Sequence, residues 1–270
     1  MRIDVQGDGT VVRRVILGSD RSPGQEPADV LIDVEGAASL LVALEEAEAD
    51  PRCRIIVLEG RAPVFCRGMD LNQVVSNPGL DLSEGVRLFA RCLAALLSSG
   101  RIVVSVVDGE ATGGGVGLAA AADICVATAR STFALPELVL GLLPAVVLPV
   151  LQERMPPQKA RMLCLSSSVS AKQAHGWGLV DQLVEDPARL EKTVRAVIKH
   201  GLRCSPQAVA GLKDLQGRMR DLGLAEALEV GARRTAGIIG DQDALEAIRA
   251  FLGGDSMPWF DRYRPEESAS

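Results

Sequence analysis

Residues 107–137 constrain the fold more than any other stretch. They read Val-Asp-Gly-Glu-Ala-Thr-Gly-Gly-Gly-Val-Gly-Leu-Ala-Ala-Ala-Ala-Asp-Ile-Cys-Val-Ala-Thr-Ala-Arg-Ser-Thr-Phe-Ala-Leu-Pro-Glu. A β-branched run, 102–107, precedes the glycines and predicts a buried strand. Gly113, Gly114 and Gly115 then lead into a short helix of small residues, 116–122, and a second apolar run, 124–127. Glycine lets a backbone approach a ligand without a side chain in the way. The first amides of a helix have no acceptor within it and point outward. Strand, glycine turn and helix start together offer free N–H groups to a negative oxygen.

The rest of the chain must supply a core for that unit. Of 270 residues, 47% are apolar but only 3% aromatic, so Ala, Val and Leu have to build it. The length predicts one large domain, or one domain with a small appendage. A net charge of −6 argues against nucleic acid as the main partner, because phosphate binding needs a basic field. Six cysteines lie mostly in apolar runs without a C-x-x-C pair, as expected of free thiols in a reducing compartment. The N-terminus lacks the basic-then-apolar signature of a signal peptide, and no apolar run approaches the roughly 20 residues that span a bilayer. The expectation is a soluble, cytoplasmic protein that uses no membrane.

Two strands within 2–16 are predicted around Asp8-Gly9, followed by a loop over 18–28 and a short strand at 30–34. A helix is expected over 36–49, with Ala37, Leu40, Leu41 and Leu44 on its apolar face, and a strand over 54–58. Asp70 is placed to cap a helix beginning at Leu71, so a second glycine turn leads into a second helix start. A helix over 82–97, with Asp81 or Ser83 as cap, completes an alternation of strand and helix that predicts an α/β fold. After Glu137 strand signals nearly vanish. Helices are expected over 145–154, 156–165, 170–177, 186–201, 205–221, 223–237 and 241–252, then a loose polar tail.

Several common chemistries find no motif. There is no P-loop and no G-x-S-x-G elbow. Gly115-Val-Gly-Leu-Ala-Ala120 loosely fits a dinucleotide fingerprint, but its helix is too short for that crossover. Of the only two histidines, His200 reads as solvated and His175 either as a helix-end residue or as a ligand or base, and without a His/Cys cluster no zinc site is expected. Glu137 follows Pro136 and precedes an apolar run, so it reads either as a half-buried acid/base or as a first-turn glutamate serving its helix dipole. Arg67 reads as a cation for an anionic ligand or as a solvated side chain, Asp123 as structural.

Phe65-Cys-Arg-Gly-Met-Asp-Leu71 together with Gly113-Gly-Gly-Val-Gly117 resembles the crotonases, the enoyl-CoA hydratase/isomerase superfamily. The resemblance runs from about residue 50 to the C-terminus, through Ala122-Asp-Ile, Phe133-Ala-Leu-Pro-Glu137, Ala171 to Asp181, and Ala250-Phe-Leu with Pro258-Trp259. Residues 17–35 lack the usual Asn-Ala-Leu stretch. The resemblance implies a repeated ββα core over 1–200, a helical trimerisation region over 201–254 and a tail over 255–270, assembled as a homotrimer or a dimer of trimers. It implies an acyl thioester on coenzyme A or on the phosphopantetheine of an acyl carrier protein, with no separate cofactor and no metal. It assigns the two amides that hold the thioester oxygen to Met69 and Gly114.

Of the two glutamates of family hydratases, Glu137 matches the second, while the first falls at Gly117 and is missing. One carboxylate still suffices for a syn elimination, and Gly117 would leave space for a branched substrate. Cys66 to Asp70 together with Leu135 to Pro149 is similar, more narrowly, to the dehydratases of polyketide β-branching cassettes, which convert 3-hydroxy-3-methylglutaryl on a carrier protein to 3-methylglutaconyl. That implies a cation for the free carboxylate, with Arg67 as a candidate and Asp70 and Gly117 beside it. It also implies a basic docking patch for an acidic carrier at Arg154, Lys159 and Arg161, residues that read equally as a solvated helix face. Competing readings are an enoyl-thioester isomerase, a decarboxylase, and a noncatalytic subunit that binds a carrier protein.

Overall fold

The computed structural model describes residues 1–8, 11–18, 30–77, 79 and 81–260. The strands are β1 (Ile3–Asp8), β2 (Val12–Leu17), β3 (Leu31–Ile32), β4 (Ile55–Gly60), β5 (Val64–Cys66), β6 (Gly68–Met69), β7 (Ile102–Val107), β8 (Glu110–Thr112), β9 (Ile124–Thr128), β10 (Thr132–Ala134), β11 (Val169–Ser170) and β12 (Gln182–Val184). Between and after them run α1 (Val34–Ala49), α2 (Leu71–Ser76), α3 (Ser83–Ser98), α4 (Gly114–Ala120), a 3₁₀ turn (Pro136–Leu140), α5 (Val147–Arg154), α6 (Pro157–Leu165) and α7 (Ala171–Trp177). The chain ends in α8 (Leu190–Gly201), α9 (Pro206–Met219), α10 (Leu224–Ile239) and α11 (Gln242–Gly253).

The large sheet has the order β1-β2-β4-β7-β9-β12, parallel except for the β1–β2 hairpin. A smaller sheet, β11-β10-β8-β5, lies beside it, and β3 pairs with β6. Three successive turns of chain repeat one pattern: a large-sheet strand, a small-sheet strand, then a helical turn. They are β4–β5 leading through β6 to α2, β7–β8 to α4, and β9–β10 to the 3₁₀ turn. Each repeat therefore delivers a helix start to the same side of the small sheet.

Side-chain alternation along the strands builds the core on both faces of the large sheet. Ile56, Leu58, Val103 and Val107 join the cluster under α1, α3 and α4, while Ile55, Val57, Val104 and Val106 join Val194 and Ile198 of α8. Ser105, between them, spends its hydroxyl on the Ala119 carbonyl at 3.0 Å, tying β7 to α4. In α1, Ala37, Leu40, Leu41 and Leu44 are buried as the spacing predicts, and Asp33 caps the helix by accepting from the Gly36 amide at 2.7 Å.

Some expectations need correction. Val34 starts α1 rather than ending a strand, which leaves β3 only two residues. The strands β5, β8 and β10 are three residues each, too short for an alternation signal, and β11 and β12 interrupt the helical last third. Through Phe260 the tail is tied rather than loose. Arg54 donates to the Trp259 carbonyl at 2.6 Å, and the Trp259 indole donates to the Arg203 carbonyl at 3.1 Å. Gly9 of the predicted hairpin turn, residues 19–28 of the predicted loop and residues 261–270 of the tail lie outside the described residues.

Candidate active site

Two glycine turns meet at the head of α4. Gly68 (φ +78°) and Gly113 (φ +54°) both use backbone conformations that L side chains rarely adopt. A Cβ on Gly68 would stand 3.0 Å from the Gly114 nitrogen and 2.9 Å from the Thr112 carbonyl oxygen. One on Gly115 would stand only 2.1 Å from the Cys66 carbonyl oxygen. The second turn is thus pressed onto β5 and β6, with Met69 one residue from the contact. Gly114 is the first residue of α4, so its amide has no acceptor within the helix. Asp70 accepts from the Asn72 and Gln73 amides at 3.0 and 3.3 Å, which makes it the cap of α2 rather than a pocket ligand.

Glu137 arrives from the third repeat. The fully buried Phe133 and Leu135 anchor β10 and the residue before the turn. Pro136 then starts the 3₁₀ turn, and the Leu142 amide closes it on the Glu137 carbonyl at 2.8 Å. This aims the side chain at the glycines: Oε1 is 3.3 Å from where a Gly113 Cβ would stand. Oε2 is buried with no hydrogen-bond partner. Burial pushes the Glu137 carboxyl above the ordinary glutamate range. Cys164 of α6 is close enough for the Glu137 charge to add to the burial that raises its own thiol pKa. An unpartnered, desolvated carboxylate oxygen beside an outward-pointing amide can take a proton next to a carbon whose carbonyl oxygen is gaining charge.

The other sequence-predicted residues separate into two groups. Arg67 lies at the site's edge, where its Nε donates to Glu110 at 2.7 Å, so an anion there competes with that carboxylate. Gly117 does not open a void. A Cβ there would already be 3.1 Å from Val147 Cγ2 and 3.4 Å from Leu93 Cδ1, so apolar packing has taken the expected space. Arg154 is not a docking cation. Its guanidinium is turned inward to the carbonyls of Ala122, Asp123 and Leu179 and to the Asp181 carboxylate. Lys159 lies over the Trp177 ring, 5.4 Å from its centroid, and Arg161 is exposed on α6.

His175 is a helix-end residue facing the Val180 carbonyl at 2.8 Å, and Asp123 holds the Val103 amide and Lys213, as a structural residue would. Ile32, Phe89, Leu93 and Val147 crowd the same face of α4, although their spacing in sequence reads only as core. Among the described residues no three His, Cys, Asp or Glu side chains converge as a metal site would require, and no helix is long and apolar enough to cross a membrane.

A sequence model described as enoyl-CoA hydratase/isomerase matches residues 31–262. The chain belongs to this family. Carnitinyl-CoA dehydratase of Proteus mirabilis is 30% identical over 220 residues, 78% of this chain and 82% of that one. The Salmonella arizonae protein of the same name is 29% identical over 238 residues, 84% and 89% of the two chains. The crystal structure of an enoyl-CoA hydratase from Shewanella pealeana superposes with a TM-score of 0.85 at 26% identity, over 95% of each chain. The repeated strand–strand–helix architecture is the crotonase fold of this family, and the Shewanella pealeana enoyl-CoA hydratase shares it.

Proposed function

We propose that this chain dehydrates a β-hydroxyacyl thioester with Glu137 as its single acid/base. The observation that carries the reading is the buried, unpartnered Oε2 of Glu137 beside the paired glycine turns. In this mechanism the amides of Met69 and Gly114 hold the thioester oxygen. Glu137 removes the α-proton, and the electron pair moves into an enolate whose oxygen those amides stabilise. The protonated Glu137 then gives the proton to the β-hydroxyl on the same face. The C–O bond breaks, the α–β double bond forms and water leaves. Losing one oxyanion donor typically adds about 3–4 kcal/mol to such a barrier.

A single carboxylate is supported by Gly117 itself, which stands where the resemblance would put the other glutamate, and by the Val147 and Leu93 carbons that pack nearest to it. The motif resemblance supports 3-hydroxy-3-methylglutaryl on an acyl carrier protein as the substrate and 3-methylglutaconyl as the product. In this reading the carrier docks on α6 beside the 3₁₀ turn. Gln158, Arg161, Met162 and Leu165 recur at helical spacing on an exposed face that carries no acidic residue. Arg67 is the candidate for the distal carboxylate, in exchange for Glu110. The relatives' names support a second carrier, coenzyme A, for the same elimination.

Intact-mass spectrometry of the loaded carrier protein, with the coenzyme A thioester in parallel, tests the reading. Loss of one water from either substrate supports dehydration, and the faster substrate identifies the carrier. Glu137→Gln should slow turnover by about 10²–10⁴-fold. Loss of carbon dioxide instead of water, double-bond migration in an enoyl thioester, or binding without a mass change would replace this reading with the decarboxylase, the isomerase or the noncatalytic subunit.

A further inference from the structure

Gly114 and Gly117 lie one turn apart on α4 and so share a face. The atoms nearest that face are all hydrocarbon. A Cβ on Gly114 would be 2.9 Å from Ile32 Cδ1 and 3.0 Å from Phe89 Cζ. A Cβ on Gly117 would meet Val147 Cγ2 at 3.1 Å and Leu93 Cδ1 at 3.4 Å. These four side chains come from β3, α3 and α5, with Phe89 and Leu93 one turn apart on α3. Leu93 and Val147 are sealed in the core, whereas Ile32 and Phe89 each keep 8% exposure at the head of α4. Ile32 and Phe89 are therefore the wall residues nearest to both Gly114 and solvent, and Phe89 is the bulkier of the two.

We propose that Phe89, backed by Leu93 and Val147, is an acyl-length stop that restricts the site to short acyl chains. The inference rests on the reading that the thioester oxygen sits at the Gly114 amide. From that oxygen the acyl carbons run past a close-packed apolar face, and a longer chain meets the Phe89 ring and the sealed core behind it. The same face favours a methyl branch over a charged end, so a distal carboxylate turns away from it. Close packing gives the stop its sharpness, because a core already at crystal-like density accepts extra methylenes only by strain.

Calorimetric titration with saturated acyl-pantetheines, from acetyl to decanoyl, tests this without turnover and with the arm common to both carriers. A buried methylene ordinarily tightens binding about four-fold. In the wild type that gain should end by hexanoyl. In Phe89→Ala it should continue for at least two more methylenes. Phe89→Leu, which keeps the core filled, should move the limit by about one methylene and serves if the alanine variant does not fold. Steady tightening through decanoyl in the wild type, or an identical limit in the variants, overturns the stop while leaving the thioester site standing. Failure of every acyl-pantetheine to bind overturns the thioester site and the stop with it.

Discussion

Burial of the Glu137 carboxyl has consequences for both rate and stability, and they run in opposite directions with pH. As a base it must be ionised, and desolvation raises the pH at which that happens. kcat/KM should therefore rise along one acid limb centred above the ordinary glutamate value of about 4.3 and then stay level. An alkaline limb from a second catalytic group would contradict a single-carboxylate cycle. For stability, a carboxyl whose folded pKa exceeds its unfolded one binds its proton more tightly when folded. The stabilisation from that proton is complete below about pH 4.3 and is lost as pH rises through the folded value. Glu137→Gln stays neutral throughout, so its melting temperature should exceed the wild type's at pH 8, and the gap should close toward pH 4. A lower melting temperature at pH 8 would mean that the carboxylate has a stabilising partner after all.

Among the elements, the junction of α4 with β5 and β6 depends on a residue with no side chain. A Cβ on Gly115 would collide with the Cys66 carbonyl at 2.1 Å, and a backbone carbonyl has no rotamer by which to move aside. Gly115→Ala should cost about 1–3 kcal/mol in a denaturant titration. It should also lower kcat about 10²-fold, because parting the two turns by about 1 Å misaligns both amides. Gly211→Ala in α9 is the control. Nothing lies within 4 Å of that Cβ, so the change should leave stability level or raise it by up to about 1 kcal/mol. Equal losses in both variants would refute the contact argument. The glycine turns, the Asp70 cap and Glu137 were legible in the sequence because each uses a residue type that few others replace. The strands β5, β8 and β10 were not, since three residues cannot display an alternation. Nor could Arg154 be read: a cation on a helix looks alike whether it faces solvent or, as here, three carbonyls and Asp181. The Phe89 wall stayed hidden for a related reason. Its members are ordinary core residues from three separate elements, and only the fold brings them to one face of α4.

For the whole molecule, the contrast between core and C-terminal helices bears on assembly. α8 buries Val194 and Ile198 against the sheet, but α9 and α10 bury no residue and α11 only Ala247. Leu224 and Leu228, one turn apart on α10, are 77% and 65% exposed, and Phe251 and Leu252 on α11 are 74% and 79% exposed. A cleft of about 2060 Å³ lies between α9 and the core, at the end of α4 remote from Gly114. Apolar surface in such quantity on one part of a chain favours association. An interface between this arm and a different surface of the next copy would be head-to-tail, and it ends in a closed ring only if the rotation between copies closes. The proposed ring is a trimer, following the crotonase resemblance. Sedimentation equilibrium should give three times, or six times, the 28.5 kDa chain mass. Leu228→Asp combined with Phe251→Asp places two charges on the arm and should lower that mass toward the monomer, while far-ultraviolet dichroism still shows the helices. A monomeric wild type at micromolar concentration would refute the trimer and leave the exposed faces of α10 and α11 without a partner of the same chain. An unchanged mass in the double variant would instead move the interface off these helices.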